Sequence, residues 1–242
     1  MENESYASFS VTVRASFFYT LEWAMSVVDI REKFLLPPKD TIRICEQLGI
    51  KHPMDMKKRQ PKIMWTDFLI DVRIDDTVKL VAVAVIPEGQ LKKKREIEKL
   101  EIQRMFWCEK GIEFSIATQK QIPPALVSNI AWVHKVLHLK DIKGLDETLL
   151  WEIELILFEA LGNSHQAFPK VAKQVDDVFK LRHGTCLWII RHLIANRIWT
   201  IDMMVKKDFS KVLQVKRNEN LQQVRGIELK NYAHFELRYR VD

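Results

Sequence analysis

Residues 64–86, MWTDFLIDVRIDDTVKLVAVAVI, decide the fold of the first half of this chain. Two strand-like segments, MWTDFLIDVR and TVKLVAVAVI, flank residues 74–76, whose two aspartates favour a turn, so the stretch predicts a β-hairpin. The second segment is apolar on both faces from Leu80 to Ile86, which is typical of a central strand covered on both sides. The hairpin therefore predicts a buried sheet with helices packed against it.

Segments on both sides of this hairpin supply the helices and the remaining strands. Residues 12–25 and 91–110 predict helices, residues 26–36 alternate as a half-buried strand does, and GIEFSIAT predicts a returning strand. The apolar helix faces are predicted to be Val13, Phe17, Leu21 and Met25 on the first helix and Ile97, Leu100, Met105 and Cys108 on the second. A hairpin followed by a crossover helix and a further strand implies a mixed sheet flanked by helices, an α/β domain over residues 1–140.

Residues 145–242 are predicted to contain three amphipathic helices followed by a hairpin. The last two helices are joined by a tight turn at Gly184, and the segment IWTIDMM follows them. This order predicts a mostly α, winged-helix-like domain, a class that binds DNA or docks proteins. The polar segment around residues 139–144 is the predicted boundary, so residues 145–242 are expected to fold on their own.

Composition indicates a soluble globular protein with a full-sized core. The chain has 242 residues, of which 47% are hydrophobic and 29% are charged, and this balance excludes a mostly disordered protein. No apolar run approaches the roughly 20 residues that a bilayer span needs, and the first residues lack a secretory signal, so a cytoplasmic location is predicted. Cys45, Cys108 and Cys186 lie far apart, which favours reduced thiols over a disulfide framework or a zinc site.

Positive charge is concentrated in the second half of the chain. The net charge is +6, and residues 168–217 hold 11 Lys and Arg against 4 Asp and Glu, whereas residues 1–90 hold 12 against 13. A local excess of this kind favours a polyanionic partner, because neutralised phosphates release counterions. It equally fits an ordinary basic surface.

Two basic segments of the first half are candidate DNA contacts. Residues 51–62, KHPMDMKKRQPK, predict an exposed basic loop. A lysine run opens the predicted helix over residues 91–110, where positive charge is unfavourable with the helix dipole, so phosphate contacts or a solvated face are expected. The candidate DNA-binding residues are Lys57, Lys58, Arg59, Lys62, Lys92, Lys93 and Lys94.

Five segments, in order, resemble the TnsA subunit of heteromeric cut-and-paste transposases. They are LEWAMSVVDIREKF at 21–34, GIKHP at 49–53, TDFLID at 66–71, VAVIP at 83–87 and EKLEIQRMFW at 98–107. The resemblance runs from about Val11 to Trp132, and it implies a restriction-endonuclease-like first domain and a winged-helix second domain. Members of the family usually carry a longer segment before the first helix.

The resemblance also implies a function in DNA transposition and a set of partners. TnsA cleaves the 5′ strands at the transposon ends, its partner TnsB makes the 3′ cuts and joins strands, and the ATPase TnsC links TnsA to the target. The expected partners are therefore transposon-end DNA, a TnsB-like transposase and a TnsC-like ATPase, with a catalytic TnsA paralogue as a further candidate. The expected setting is the prokaryotic nucleoid, with no membrane contact.

The catalytic positions of the family are mostly replaced in this chain. A nuclease of this kind needs carboxylates that hold Mg²⁺ and a lysine near the nucleophile. The family supplies a helix Glu, a strand Asp, and a Gln-x-Lys at the end of the next strand. Asp67 matches the Asp, whereas Arg14, Ala84 and Ile86 stand at the Glu, Gln and Lys positions. We therefore expect an inactive site without a cofactor, in which Asp67 is the one retained candidate metal ligand.

Two alternatives stay open at this point. In the first, Glu22, Glu88 or Lys79 takes part in a rearranged, working Mg²⁺-dependent nuclease site, although each is displaced from the family motif. In the second, the chain is a DNA-binding regulator that uses only the winged helix. Asp67 itself also fits a hydrogen-bonded carboxylate at a strand end.

Overall fold

A computed structural model describes residues 2–138 and 145–218 of the chain, with side chains from residue 12 onward. The chain forms two compact units that divide between Val127 and Ser128. Among the described residues, no helix is both long enough and apolar enough to cross a membrane.

A four-stranded mixed sheet is the centre of the first unit. Its elements are α1 (Glu2–Trp23), β1 (Val27–Leu36), α2 (Pro38–Leu48), β2 (Met54–Asp55), β3 (Gln60–Pro61), β4 (Met64–Ile74), β5 (Thr77–Val85), α3 (Lys94–Cys108) and β6 (Glu113–Ala117), and α4 (Pro124–His134) begins in it. The strand order is β1-β4-β5-β6, in which the first three strands are antiparallel and β6 runs parallel to β5. The predicted mixed sheet flanked by helices is confirmed, and the apolar strand β5 is central.

Alternation along β4 and β5 divides the core of this unit into two layers, because successive side chains point to opposite faces of a sheet. Phe68 and Val83 belong to one layer, and Leu69 and Ala82 belong to the other. The first layer is completed by Val13, Leu21, Ile70 and Val85, and the second by Leu36, Ile44, Ile102, Phe106 and Trp107. The sheet is therefore covered by α1 on one face and by α2 and α3 on the other.

The helix faces differ from the prediction in two places. Met25 lies beyond the end of α1 and is 84% exposed. On α3, Ile97 and Cys108 are exposed, whereas Phe106 and Trp107 are buried. The reason is that α3 contacts both α2 and the sheet, so its buried arc is wider than a single apolar stripe.

The edge strand β1 is irregular beside Asp67. Glu32 of β1 pairs with Phe68 of β4, so the next residue, Lys33, stands across from Asp67. The φ angle of Lys33 is 51°, in the left-handed region that residues other than glycine rarely adopt. The backbone of β1 is therefore distorted at this point.

Three helices and a short ladder of two strands form the second unit. These elements are α5 (Glu147–Asn163), α6 (Phe168–Val178), α7 (Thr185–Ala195), β7 (Trp199–Thr200) and β8 (Lys216–Arg217). The two strands are antiparallel. The three predicted helices are present, and the predicted strand IWTIDMM is reduced to two residues.

A buried carboxylate fixes the turn between α6 and α7. Gly184 adopts a φ of 94°, which favours glycine. The carboxylate of Asp176 accepts hydrogen bonds from the backbone N–H groups of Gly184 at 2.6 Å and Cys186 at 2.7 Å. Most of α7 is buried as a result of its packing, and Trp188 is exposed. The buried apolar residues of α7 are Cys186, Ile189, Ile190, Leu193 and Ile194.

A second buried carboxylate ties the short ladder to α5. Glu154 is fully buried, and its Oε1 accepts hydrogen bonds from Trp199 Nε1 and Arg217 Nε, each at 2.8 Å. Its other oxygen accepts from the Arg217 guanidinium at 3.0 Å. The same guanidinium lies over the ring of Phe158, 4.1 Å from its centroid. Glu154 therefore joins one residue of β7 and one of β8 to the helix.

The division between the units falls earlier than the predicted boundary. The predicted segment, residues 139–144, lies outside the described residues, whereas the division falls within α4. The later half of α4 belongs to the second unit because Asn129 Nδ2 donates to the backbone oxygens of Met203 and Val205 at 2.9 and 2.8 Å. A fragment of residues 145–242 lacks these contacts, so an independent second domain should include α4.

Candidate functional site

The four positions assigned to catalysis line one cleft of the first unit. The cleft has a volume of about 420 Å³ and is bounded by β4, the end of β5 and one face of α3. Arg14, Asp67, Ala84 and Ile86 are all part of its lining. The fold therefore brings together residues that come from three separate segments of the sequence.

An ion pair between α1 and β4 occupies the polar side of this cleft. Arg14 Nε lies 2.9 Å from Asp67 Oδ1. The backbone N–H of Val85 donates to Asp67 Oδ2 at 2.8 Å, because β4 and β5 are adjacent strands of one hairpin. The side chain of Asp67 is 12% exposed and that of Arg14 is 34% exposed. Each oxygen of the carboxylate therefore has a partner within the protein.

Burial raises the pKa of Asp67 above that of an ordinary aspartate, because desolvation penalises the charged carboxylate. The Val85 N–H and the positive charge of Arg14 lower the pKa, but they do not outweigh burial. The unfolded chain therefore loses this proton at a lower pH than the folded chain. Ionisation of Asp67 accordingly costs stability as the pH rises from the unfolded pKa through the folded pKa.

Replacing Arg14 with glutamine is expected to raise the pKa of Asp67 further, because a charge that favours the carboxylate is removed. An NMR titration of the Asp67 carboxyl carbon measures this change. The matched control is Lys79→Gln, which removes one positive charge from the far end of β5, where Lys79 pairs with Val72. An Asp67 pKa that is the same in Arg14→Gln and in the parent chain would contradict the ion pair.

Ala84 and Ile86 give the cleft an apolar wall. They are 2% and 9% exposed, respectively, and they pack in one cluster with Leu100 of α3. Neither side chain carries a proton, a charge or a hydrogen-bonding atom. This wall therefore has no group that contributes to a reaction at a phosphate.

Two of the candidate DNA-binding residues, Lys62 and Lys93, lie in the lining of the cleft, and both are exposed. Lys62 follows β3, and Lys93 immediately precedes α3. Lys92 and Lys94 flank Lys93 and are exposed without belonging to the cleft lining. The lysine run at the start of α3 therefore divides between the cleft and the neighbouring surface.

The remaining basic candidates form an exposed turn between β2 and β3. Lys57, Lys58 and Arg59 connect the two short strands, and all three are exposed. The backbone N–H groups of Lys57 and Lys58 donate to Asp55 Oδ1 at 2.9 and 3.2 Å. Asp55 therefore fixes a turn that presents three adjacent positive charges to solvent.

Comparison with known proteins places this chain in a family. Residues 24–119 match the family described as TnsA-like endonuclease N terminal, and residues 121–203 match the TnsA endonuclease C terminal family. The chain belongs to the TnsA family. It is 37% identical to the transposon Tn7 transposition protein TnsA of Escherichia coli over 179 aligned residues. The aligned region covers 74% of this chain and 63% of that protein. The chain thus spans less than two thirds of this relative's length.

The cleft of this TnsA-family chain does not fit a divalent metal ion. Within residues 2–138 and 145–218, no group of three or more His, Cys, Asp and Glu side chains could hold one. A second carboxylate in the described lining, Glu96, has its Oε1 2.7 Å from Lys99 Nζ. The Arg14 guanidinium places a permanent positive charge beside Asp67, where a cation would have to bind.

The residues considered for a rearranged TnsA site lie elsewhere. Among the described residues that line the cleft, none is Glu22, Lys79 or Glu88. Glu88 forms an ion pair with Lys120, with Oε1 and Nζ 2.6 Å apart. Lys79 is exposed on β5, and Glu22 lies near the end of α1.

Sequence reasoning missed five polar or aromatic residues of the cleft: Gln90, which lies three residues before Lys93, and Trp65, Glu96, Lys99 and Gln103. Trp65 lies two residues before Asp67 on β4, and the two-residue period of a strand places both on one face. The three α3 residues follow Lys93 at steps of three and four, the spacing of one helical face. Both periods are present in the sequence, and they identify these residues once Asp67 and Lys93 are placed at the cleft.

Proposed function

We propose that this chain is a non-cleaving subunit of a DNA transposition complex. Its membership of the TnsA family and its similarity to a Tn7 transposition protein support the role in transposition. The ion pair between Arg14 and Asp67 is the observation that carries the loss of 5′-strand cleavage. The chain would then bind transposon-end DNA beside a TnsB-like transposase.

Charge and chemistry in the cleft both oppose hydrolysis. A nuclease of the restriction-endonuclease-like type, the fold proposed for the first unit, relies on bound cations to activate water and to stabilise the leaving oxygen. Arg14 repels such a cation from Asp67 at short range. Ile86 offers neither a charge nor a proton at the position where the family has a lysine. Without 5′ cleavage, strand transfer leaves a branched product, so we include a catalytic TnsA paralogue among the proposed partners.

A cleavage assay with Mg²⁺ or Mn²⁺ tests this proposal. Duplex DNA with the transposon end is incubated with the chain alone and with its TnsB-like and TnsC-like partners. We expect no 5′-strand nicking above the level of an Asp67→Asn variant. Metal-dependent nicking by the parent chain that disappears in Asp67→Asn would establish the alternative, an active nuclease with a rearranged site.

The exposed turn between β2 and β3 is the proposed DNA contact outside the cleft. Replacing Lys57, Lys58 and Arg59 with alanine removes up to three phosphate contacts. The slope of log K against log salt is therefore expected to fall by up to about 3 units, at about 0.9 per contact. Fluorescence anisotropy of a labelled duplex over a range of salt concentrations measures the slope.

A matched triple variant controls for the change in net charge. Lys39, Arg43 and Lys110 are exposed basic residues of the first unit outside this turn, and their replacement with alanine removes the same charge. We expect the salt slope of this control to stay close to that of the parent. Equal slopes in the two triple variants would place the DNA-contacting surface elsewhere.

The second unit is proposed to be winged-helix-like and to dock a TnsC-like ATPase. Three helices followed by a short ladder support the first part of this proposal. A recognition helix must present several side chains to base edges, but most of α7 is buried and Trp188 is its exposed large side chain. This burial favours a docking role over base reading.

A pull-down of the ATPase with the full chain, after nuclease treatment to remove bridging DNA, tests docking. Retention of the ATPase supports a direct contact, and its loss on nuclease treatment argues against one. The remaining alternative, a DNA-binding regulator, predicts no transposase and ATPase genes beside the gene for this chain. Their presence would exclude it.

A further inference from the structure

We propose that the cleft around Arg14 and Asp67 binds a phosphate group of a nucleic-acid strand without a metal ion. Its contacts are Arg14, Lys62 and Lys93. The inference deepens the proposed function, on which it rests for the identity of the strand as DNA. In this proposal the cleft holds an intact phosphodiester and does not hydrolyse it.

The charge of the cleft favours an anion. Its described lining includes four basic side chains, Arg14, Lys62, Lys93 and Lys99, and two acidic ones, Asp67 and Glu96. Four positive charges against two negative ones give this lining an excess of positive charge, within which Lys99 is paired with Glu96 and Arg14 with Asp67. Coulomb attraction to a phosphate sums over these charges, because their side chains line one cleft.

Three separate elements aim these cations at one volume. Arg14 comes from α1, Lys62 from the segment after β3, and Lys93 from the residue before α3. Because they are distant in sequence, their convergence is a property of the fold and not of a local basic run. A volume of about 420 Å³ is in the range of small-ligand sites and accommodates a phosphate with its sugar.

Asp67 acts here as a positioning residue for Arg14. One carboxylate oxygen is held by the Val85 N–H at 2.8 Å, and the other holds Arg14 Nε at 2.9 Å. The guanidinium is thus fixed before any ligand arrives, which lowers the entropic cost of binding. A guanidinium has several N–H donors in a planar fork, and with 34% of its side chain exposed Arg14 can contact an anion while it holds Asp67.

An aromatic wall distinguishes a nucleic-acid strand from a free phosphate ion. Trp65 lines the cleft and is 38% exposed, on the strand that carries Asp67. Exposed aromatic rings stack on bases of single or frayed strands. Ile63 and Ile86 extend this wall with apolar surface suited to a sugar. A strand end would place a phosphate at the cations and a base at Trp65, whose side chain also hydrogen-bonds to Asp67.

The test is binding of a labelled single-stranded oligonucleotide to the full chain in EDTA, by fluorescence anisotropy. We expect the same affinity with EDTA and with Mg²⁺, and a loss of about tenfold in Arg14→Gln, the size of one charge-assisted contact. The matched control is Arg43→Gln, which removes an arginine that is also ion-paired, with Glu109, and lies outside the cleft. Arg14→Gln binding equal to the parent, or binding that requires Mg²⁺, would overturn the inference.

A second pair of variants keeps the test valid if Arg14→Gln does not fold. Lys62→Gln and Lys93→Gln alter exposed side chains, so their folds are expected to be retained. Each should weaken oligonucleotide binding severalfold, whereas no effect of either would contradict the proposal.

A Trp65→Leu variant tests the identity of the ligand. It should lower the affinity for the oligonucleotide and leave competition by inorganic phosphate unchanged. If Trp65→Leu changes neither the affinity for the oligonucleotide nor the competition by inorganic phosphate, the site binds free phosphate only. That result would overturn the assignment of a nucleic-acid strand.

Failure of this inference and failure of the proposed function give different results. DNA binding that is insensitive to Arg14, Lys62 and Lys93, with no cleavage, overturns the cleft as a phosphate site and leaves the non-cleaving subunit intact. Metal-dependent cleavage overturns the proposed function directly.

Discussion

Replacing Glu154 with alanine is expected to lower the free energy of unfolding by about 3 kcal/mol, the low end for breaking a buried ion pair. Glu154 is fully buried and accepts hydrogen bonds from Trp199 and from two nitrogens of Arg217. The substitution leaves the Trp199 N–H and the Arg217 charge without their acceptor. We use the low end because Arg217 is 23% exposed and can turn towards water. Urea unfolding followed by tryptophan fluorescence measures the change.

Two further variants separate the ion pair from a general effect on α5. Glu152 lies on the same helix and is exposed, so Glu152→Ala is expected to change stability by less than about 0.5 kcal/mol. The double variant of Glu154→Ala with Arg217→Met removes the uncompensated charge and is expected to recover part of the loss. Equal effects of Glu154→Ala and Glu152→Ala would contradict the structural role of Glu154.

Restoring the three replaced family positions is expected to create metal-dependent DNA nicking. The variant Arg14→Glu, Ala84→Gln, Ile86→Lys exchanges the positive charge beside Asp67 for a carboxylate and adds an amine to the apolar wall of the cleft. Because the parent cleft repels a cation, we expect nicking in Mg²⁺ or Mn²⁺ to exceed the parent level by on the order of 100-fold or more. A gel assay with end-labelled transposon-end duplex measures it.

A thermal shift gives a readout of this variant that does not depend on cutting. Two carboxylates at positions 14 and 67 repel each other, so Mn²⁺ should raise the melting temperature of the triple variant and leave that of the parent unchanged. Adding Asp67→Asn to the triple variant is the control, and it should abolish both the shift and the nicking. A folded triple variant with neither response would contradict the assignment of positions 14, 84 and 86 to the family's site.

The sheet of the first unit could be predicted because local signals determine it. The two strand-like segments within residues 64–86 and the paired aspartates between them predict the hairpin without reference to the rest of the chain. The buried face of α3 could not be predicted in the same way. Phe106 and Trp107 are adjacent in sequence and both buried, because α3 contacts α2 as well as the sheet. The contact of α3 with a second element depends on tertiary structure, so the apolar pattern of the helix alone does not reveal it.

The candidate site, too, could be predicted only in part from the sequence. The resemblance to TnsA identified positions 14, 67, 84 and 86, and the cleft contains all four. The ion pair between Arg14 and Asp67 could not be predicted, because it depends on the distance between α1 and β4, and sequence periodicity does not give that distance. Lys93 lines the cleft, whereas its neighbours Lys92 and Lys94 do not. This difference likewise depends on the backbone conformation just before α3. Sequence patterns therefore identified residues here, and the fold specified their partners.

The distorted edge strand β1 affects how this sheet meets other protein chains. Among the described strands β1 pairs only with β4, so its outer edge offers backbone groups that could recruit a further strand. Arg31, Glu32 and Lys33 put three consecutive charges on that edge, and the left-handed backbone at Lys33 interrupts the regular row of donors and acceptors. Charge and distortion of this kind protect natural sheets from edge-to-edge aggregation. The same residue that stands across from Asp67 thus gives this edge two features that disfavour the addition of a strand from a neighbouring molecule.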